Sequence, residues 1–129
     1  MKLTKEILLQ NMKTIVDEVT SEKTTDLTIK RLGGEITVKS IDAEKLNSFM
    51  SQCDGNAYKA NIRIVYSGVI DPSLKDDDLI EKYDCKKDPY EIVKKMFKPI
   101  EINLIADKIC ELSGISAANP QELVAEIKN

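Results

Sequence analysis

The sequence contains no histidine, the residue that most often acts as a catalytic base or a metal ligand near neutral pH. Its absence excludes serine–histidine and cysteine–histidine nucleophile pairs. The glycine pair Gly33-Gly34 is too short to cradle a phosphate, and neither GxGxxG nor GxxxxGK(S/T) occurs. The residues therefore predict a protein without catalytic groups, cofactor or bound metal.

Long apolar runs are also missing, because no stretch approaches the ~20 residues that span a bilayer. The opening residues, MKLTKE, carry charges where a signal peptide would be apolar. The three cysteines, Cys53, Cys85 and Cys110, are widely spaced and form no CxxC pair, which is typical of reduced, buried thiols. We expect a cytoplasmic protein that does not bind membranes.

Neither sign of charge dominates, since 19 basic and 22 acidic residues give a net charge of −3. No segment concentrates the positive charge that phosphate binding needs, so nucleic acid is not an expected partner. The acidic run Asp76-Asp77-Asp78 suggests a metal site, but a calcium loop beginning at Asp71 would require glycine at position 76. We interpret the run as the first turn of a helix, where the helix dipole favours acids.

Apolar side chains recur at helical spacing in the N-terminal half. Thr4 is placed to cap a first helix. The apolar residues of that helix share one face: Leu8, Met12, Ile15 and Val19. Asp42 is the next expected cap, and Asp54-Gly55-Asn56 ends the helix that follows it. Residues 57–70 fit either a strand or a helix, and we favour a helix.

Between the first two helices, apolar and polar residues alternate and predict a β-hairpin. Leu27 and Ile29 precede Gly33-Gly34, and Ile36 and Val38 follow it. A two-residue glycine loop would place Ile29 opposite Val38 and all four apolar side chains on one face. Two strands alone are marginally stable, so we expect this face to pack on helices or on another chain.

Cap residues and prolines predict a series of short helices in the C-terminal half. Asp71-Pro72 ends the preceding element, because the residue before proline avoids the helical region. Asp76 is expected to cap a helix that runs to Tyr83. Asp88-Pro89 then supplies a cap followed by proline at the first helical position of the next helix.

Pro99 opens the clearest helix, which Gly114 is placed to end. Its apolar face consists of Ile102, Ile105, Ala106, Ile109 and Leu112. Asn119-Pro120 repeats the cap-and-proline start for a last short helix that carries Leu123, Val124 and Ile127. The predicted fold is one domain over residues 1–129, mainly α-helical (α+β), with one hairpin at about residues 26–41.

One distinctive pattern of elements covers the stretch from Asp71 to Gly114. Its parts are Pro72-Ser73-Leu74, the acidic helix Asp76 to Tyr83, the small helix Pro89 to Phe97, Glu101-Ile102 and Leu112-Ser113-Gly114. This pattern resembles that of the XkdN-like tail assembly chaperones of defective prophages, tailed phages and phage-tail-like bacteriocins. The N-terminal half is compatible with the family but less distinctive, and Ile100 stands where the pattern usually has glycine.

The resemblance implies a non-catalytic chaperone that coats the long, helical tape measure protein and keeps it soluble until the tail tube forms. The tape measure protein is thus the expected partner, and the tail tube protein is a second candidate. Two other classes stay open. One is a small structural or adaptor subunit of a phage-tail-like particle, in a tail completion or connector role. The other is an enzyme with two carboxylates in an apolar cleft.

Two sets of apolar residues are candidate contacts. The partner-binding candidates surround the Lys98-Pro99 break, where a groove could form: Tyr90, Met96, Phe97 and Ile100. The alternative is that all four are core. Repeated binding along a rod implies self-association, through the free hairpin edge or through Leu123, Val124 and Ile127. The resemblance also suggests a longer product made by ribosomal slippage near Ile127-Lys128-Asn129, with an ordinary terminus as the alternative.

Overall fold

The computed structural model describes residues 1–115, and within them the chain folds as seven helices and three strands. In chain order these are α1 (Lys5–Gln10), α2 (Met12–Thr20), β1 (Thr24–Ile29), β2 (Gly34–Lys39), α3 (Ala43–Gln52), α4 (Ala57–Gly68), β3 (Val69–Asp71), α5 (Asp77–Lys82), α6 (Glu91–Met96) and α7 (Pro99–Leu112). The mainly helical α+β class is confirmed. The expected last helix, with Leu123, Val124 and Ile127, lies outside the described residues.

Short polar side chains begin four of the helices. The backbone N–H groups of the first turns donate to Thr4 Oγ1 (3.2 Å), Asp42 Oδ1 (2.8 Å), Asn56 Oδ1 (3.0 Å) and Asp76 Oδ1 (3.1 Å). Each cap satisfies a donor that has no partner inside its helix. The caps predicted at positions 4, 42 and 76 are confirmed.

The predicted hairpin forms, but its turn is longer than expected. Lys30–Leu32 make a 3-10 turn that Gly33 closes in the left-handed conformation at φ 68°, so Gly34 already belongs to β2. Ile29 therefore pairs with Gly34 instead of Val38. Because the register differs from the predicted one by an even number of positions, the apolar side chains still share one face.

A third strand, absent from the prediction, completes the sheet. β3 pairs antiparallel with β2, which gives the order β1-β2-β3 and leaves the outer edge of β1 free within the described chain. α4, the element whose type was ambiguous, is a helix up to Gly68, and β3 follows it directly. The hairpin thus gains the third strand that an isolated pair needs for stability.

The Asp88-Pro89 segment forms a turn before α6 rather than the first turn of the helix. Asp88 Oδ1 accepts from the N–H of Tyr90 at 3.2 Å, and Glu91 N–H donates to the Asp88 carbonyl at 3.0 Å. These are tight turn bonds, so the regular helix begins at Glu91, later than predicted.

The core lies between the sheet and the two longest helices, α4 and α7. Three side chains at its centre are fully buried: Val38 of the sheet, Val65 of α4 and Ile109 of α7. The predicted apolar face of α7 is confirmed for Ile102, Ile105, Ala106 and Ile109, which are buried, while its last member, Leu112, is only partly buried against the core. Among residues 1–115, no helix is both long and apolar enough to cross a membrane.

Candidate partner-binding surfaces

The first two helices form an arm, residues 5–20, and the described part of the chain buries none of its side chains. Asn11 joins α1 to α2, and the helical bonding continues through it: Asn11 N–H donates to Ile7 O at 3.1 Å, and Ile15 N–H donates to Asn11 O at 2.9 Å. The Asn11 side-chain amide also donates to Ile7 O at 2.9 Å. The arm is therefore nearly continuous as a helix.

One face of the arm is apolar and open to solvent. We call this face the stripe; its residues are Leu8, Leu9, Met12, Ile15, Val16 and Val19. Their relative exposures run from 39% at Ile15 to 79% at Val19. A contiguous patch of large exposed apolar residues marks an interaction surface more often than an isolated exposed residue does. The stripe is thus the strongest candidate binding surface in the described chain.

The chain joins the body of the protein just after the arm. Lys23 N–H donates to Ser40 Oγ at 2.9 Å, and the carboxylate of Glu22 contacts Lys39 Nζ at 3.2 Å. An open groove of about 700 Å³ lies between the end of α2 and the ends of β2 and α7, with Val19 and Leu112 among its walls. The stripe therefore reaches an open groove at its C-terminal end.

The four partner contacts expected around the Lys98-Pro99 break are placed differently from one another. Phe97 is buried at 3% exposure, whereas Ile100 is 67% exposed. Tyr90 and Met96 are half-buried. The structure does not gather them in one groove, and for Phe97 it supports the core alternative.

Tyr90 is held by two neighbours that sequence reasoning did not identify. Its ring meets the Tyr66 ring edge-on, with 5.0 Å between centroids, and the Arg63 guanidinium lies 4.6 Å from its centroid. Burial, together with the nearby Tyr90, raises the pKa of Tyr66. These contacts favour a packing role for Tyr90.

Ile100 has an exposed neighbour that sequence reasoning also missed. Leu104 lies one helical turn further along α7 and is 62% exposed. The signal was available, because Leu104 is an apolar residue outside the buried face of α7. Together Ile100 and Leu104 form a small second apolar patch, which we call the α7 patch.

An ion pair beside this patch ties the hairpin turn to the start of α7. Arg31 Nε lies 3.2 Å from each carboxylate oxygen of Glu101, and its Nη2 donates to Glu101 Oε1 at 2.9 Å and to Met96 O at 2.7 Å. Glu101 Oε1 also accepts from Lys98 N–H at 2.8 Å. The hydrogen bonds from Arg31, and then that from Lys98, lower the pKa of Glu101. This arrangement anchors the turn and closes the first turn of α7.

The remaining polar clusters fit structural roles. Asp76 caps α5, with Asp77 and Asp78 in its first turn, as the helical interpretation of the acidic run predicted. Within residues 1–115 no group of three or more His, Cys, Asp or Glu side chains is placed to hold a metal ion. The cysteines in that range are free thiols, and burial raises the pKa of Cys110.

Comparison with known proteins identifies the family. A family model described as Phage XkdN-like tail assembly chaperone protein matches residues 4–128, which is nearly the whole chain. No curated protein and no solved structure matches the chain significantly. The match includes the arm as well as the more distinctive C-terminal half. The chain therefore belongs to the family of XkdN-like phage tail assembly chaperones.

Proposed function

We propose that this chaperone binds the tape measure protein of a phage tail or phage-tail-like particle in the host cytoplasm and keeps it soluble, without catalysing a reaction. Membership of the tail assembly chaperone family supports a tail protein as the client. The observation that carries the proposal is the stripe, a solvent-exposed apolar face on a helical arm that residues 1–115 leave uncovered.

The chemistry of the stripe fits a helical client. Aliphatic side chains at helical spacing can pack against the apolar face of another helix, and such contacts need no fixed polar partners. Leu8, Met12 and Ile15 supply flexible and branched apolar surface that can adapt to several client sequences. Binding is therefore mainly hydrophobic and modest in strength, which allows arriving tail tube subunits, the second proposed partner, to displace the chaperone.

The α7 patch is a smaller, second contact in this proposal. Ile100 is its most exposed member, and the partly exposed Tyr90 and Met96 lie in the neighbouring helix and turn. Phe97 is buried in the core, so in this proposal it acts on binding only indirectly, through the packing of the fold. Copies bound along a tape measure protein would also touch each other, and Leu123, Val124 and Ile127 stay candidates for that contact.

Co-expression with the tape measure protein tests the proposal. The wild-type chaperone should keep the tape measure protein in the soluble fraction and co-purify with it. Replacing Met12 and Ile15 with serine should remove most of that effect, because both changes remove apolar surface from the stripe. The matched control is Gln10→Ser with Thr14→Ser, which adds the same residue type to the arm outside the stripe and should behave as wild type.

Two outcomes would contradict the proposal. An insoluble tape measure protein in the presence of folded wild-type chaperone would refute the function. If the Met12→Ser/Ile15→Ser variant keeps the tape measure protein fully soluble, the contact lies outside the stripe. In that case an Ile100→Ser/Leu104→Ser variant would show whether the α7 patch carries the binding.

A further inference from the structure

The arm is close to the shortest helix that can be stable alone. Isolated helices below about 12–15 residues are marginal in water even when rich in alanine, and helices in proteins owe most of their stability to the packing of an apolar face. The arm covers residues 5–20, and none of its side chains is buried by the described part of the chain. For the arm to be stable, a second apolar helix should therefore pack on the stripe and shield it from water.

The arm and the residues that flank it are basic in their first half and acidic in their second half. Residues 1–13 carry three lysines and one acid: Lys2, Lys5, Lys13 and Glu6. Residues 14–22 carry three acids and no base: Asp17, Glu18 and Glu22. Side by side in the same direction, two such segments would place like charges together. In the opposite direction, the basic half of each would face the acidic half of the other.

We propose that, when no client is bound, the arm of one copy packs antiparallel on the arm of a second copy. The spacing of four, three and four along the stripe is that of a two-helix seam. Pairing about the midpoint of the stripe sets Met12 level with Ile15 of the second copy and Leu8 level with Val19 of the second copy. The contact is the same on both sides, as a two-fold dimer requires.

The charges also suit this direction, because Lys5 and Lys13 lie in the first half of each arm and Asp17 and Glu18 lie in the second half. Leu9 and Val16, on the flank of the seam, widen the apolar contact. Six half-exposed side chains from each copy bury on the order of 1,000 Å², near the lower limit for a specific interface. The dimer is thus weak and reversible, and a client helix that binds the stripe displaces the second copy.

Sedimentation velocity of the purified chain, without any tape measure protein, tests the pairing. The wild type should pass from monomer to dimer across the micromolar range. The Met12→Ser/Ile15→Ser variant should raise the dimer dissociation constant at least a hundredfold, since each dimer loses four apolar side chains. Gln10→Ser/Thr14→Ser should leave it within about threefold. A wild-type chain that is strictly monomeric at high micromolar concentration would overturn the proposal.

Cysteine cross-linking tests the direction of the pair. In a Cys110→Ser background, a Leu8→Cys chain mixed with a Val19→Cys chain should form an intermolecular disulfide, because the two positions are level in the antiparallel pair. Either variant alone should cross-link poorly. Efficient cross-linking of Leu8→Cys with itself would show a parallel pair and overturn the proposal. Both experiments omit the client, so their failure is distinct from a failure of client binding.

Discussion

Replacing Gly68 with alanine should destabilise the protein, because α4 and α7 approach closely at that position. An alanine Cβ there would lie 2.4 Å from Ile109 Cδ1 and 3.1 Å from Ile109 Cγ1. Real Cβ contacts are much longer, so either the isoleucine or the helix must move. Ile109 has 0% exposure, so its side chain cannot shift into solvent and must move within the core.

The magnitude follows from two opposing effects. Overpacking a filled core costs about 1–3 kcal/mol. Alanine also restricts the unfolded chain relative to glycine, which returns about 0.4–1 kcal/mol. The net result is a loss of roughly 1–2 kcal/mol in the free energy of unfolding. Urea unfolding followed by circular dichroism would measure it as a lower midpoint at unchanged slope.

A double-mutant cycle with Ile109→Val tests the reasoning, because valine lacks the Cδ1 atom that the new methyl group would meet. Ile109→Val alone should cost about 0.5–1.5 kcal/mol through the space that it leaves. Adding Gly68→Ala to it should cost little more, so the two changes should couple by about 1 kcal/mol. If Gly68→Ala is neutral in the wild type, or if the two effects simply add, the packing of α4 on α7 described here is wrong.

Three further predictions concern other parts of the fold. The hydrogen bonds from the Arg31 guanidinium hold the pKa of Glu101 below its ordinary 4.5. The stability that this carboxylate contributes is therefore present above that pH and is lost as the pH falls through the lowered pKa. Glu101→Gln should lower the free energy of unfolding at neutral pH and weaken its dependence on acid pH in urea titrations. Ser113→Ala should cost about 1–2 kcal/mol in urea unfolding, since Ser113 Oγ accepts from the largely buried Ile41 N–H at 2.9 Å. By thermal melting, Phe97→Ser should cost about 3–5 kcal/mol as a core change, whereas Ile100→Ser should stay within about 0.5 kcal/mol; equal effects would contradict their placement.

The parts of the fold that depend on local chemistry could be predicted from the sequence. Thr4, Asp42 and Asp76 cap their helices because a short polar side chain reaches the N–H groups of its own first turn. The α7 helix could be predicted for a similar reason, since its start at Pro99 and its apolar spacing lie in one continuous segment. Neither inference required knowledge of a distant contact.

The turn of the hairpin could not be predicted from its glycines alone. Both glycines tolerate a positive φ, so the pair suited a two-residue loop. In the structure only Gly33 takes the left-handed conformation, after a 3-10 turn formed by Lys30–Leu32. The alternation of apolar residues cannot distinguish the short turn from the longer one, because both strand registers keep the same face towards the core. β3 escaped prediction because its three residues are too few to show a period.

Contacts between distant segments, or between two copies of the chain, could not be predicted from the sequence either. Arg31 and Glu101 are 70 positions apart, and nothing in either segment indicates the other. The apolar spacing of the arm predicted a helix with one apolar face, but spacing is the same whether that face meets the core, a client or a second copy. Phe97 and Ile100 show the same limit, since two apolar positions only three residues apart have opposite exposure.

Hydrogen exchange of the chaperone with and without its tape measure protein would locate the client-binding surface, because it reports on every backbone amide at once. We predict that amides of residues 8–19 gain strong protection on client binding, beyond that of the chaperone alone at the same concentration. The buried helix α7 should change little, apart from its exposed start near Ile100. Protection that appears on the body of the protein while the arm stays unchanged would contradict the claim that the stripe is the client-binding surface.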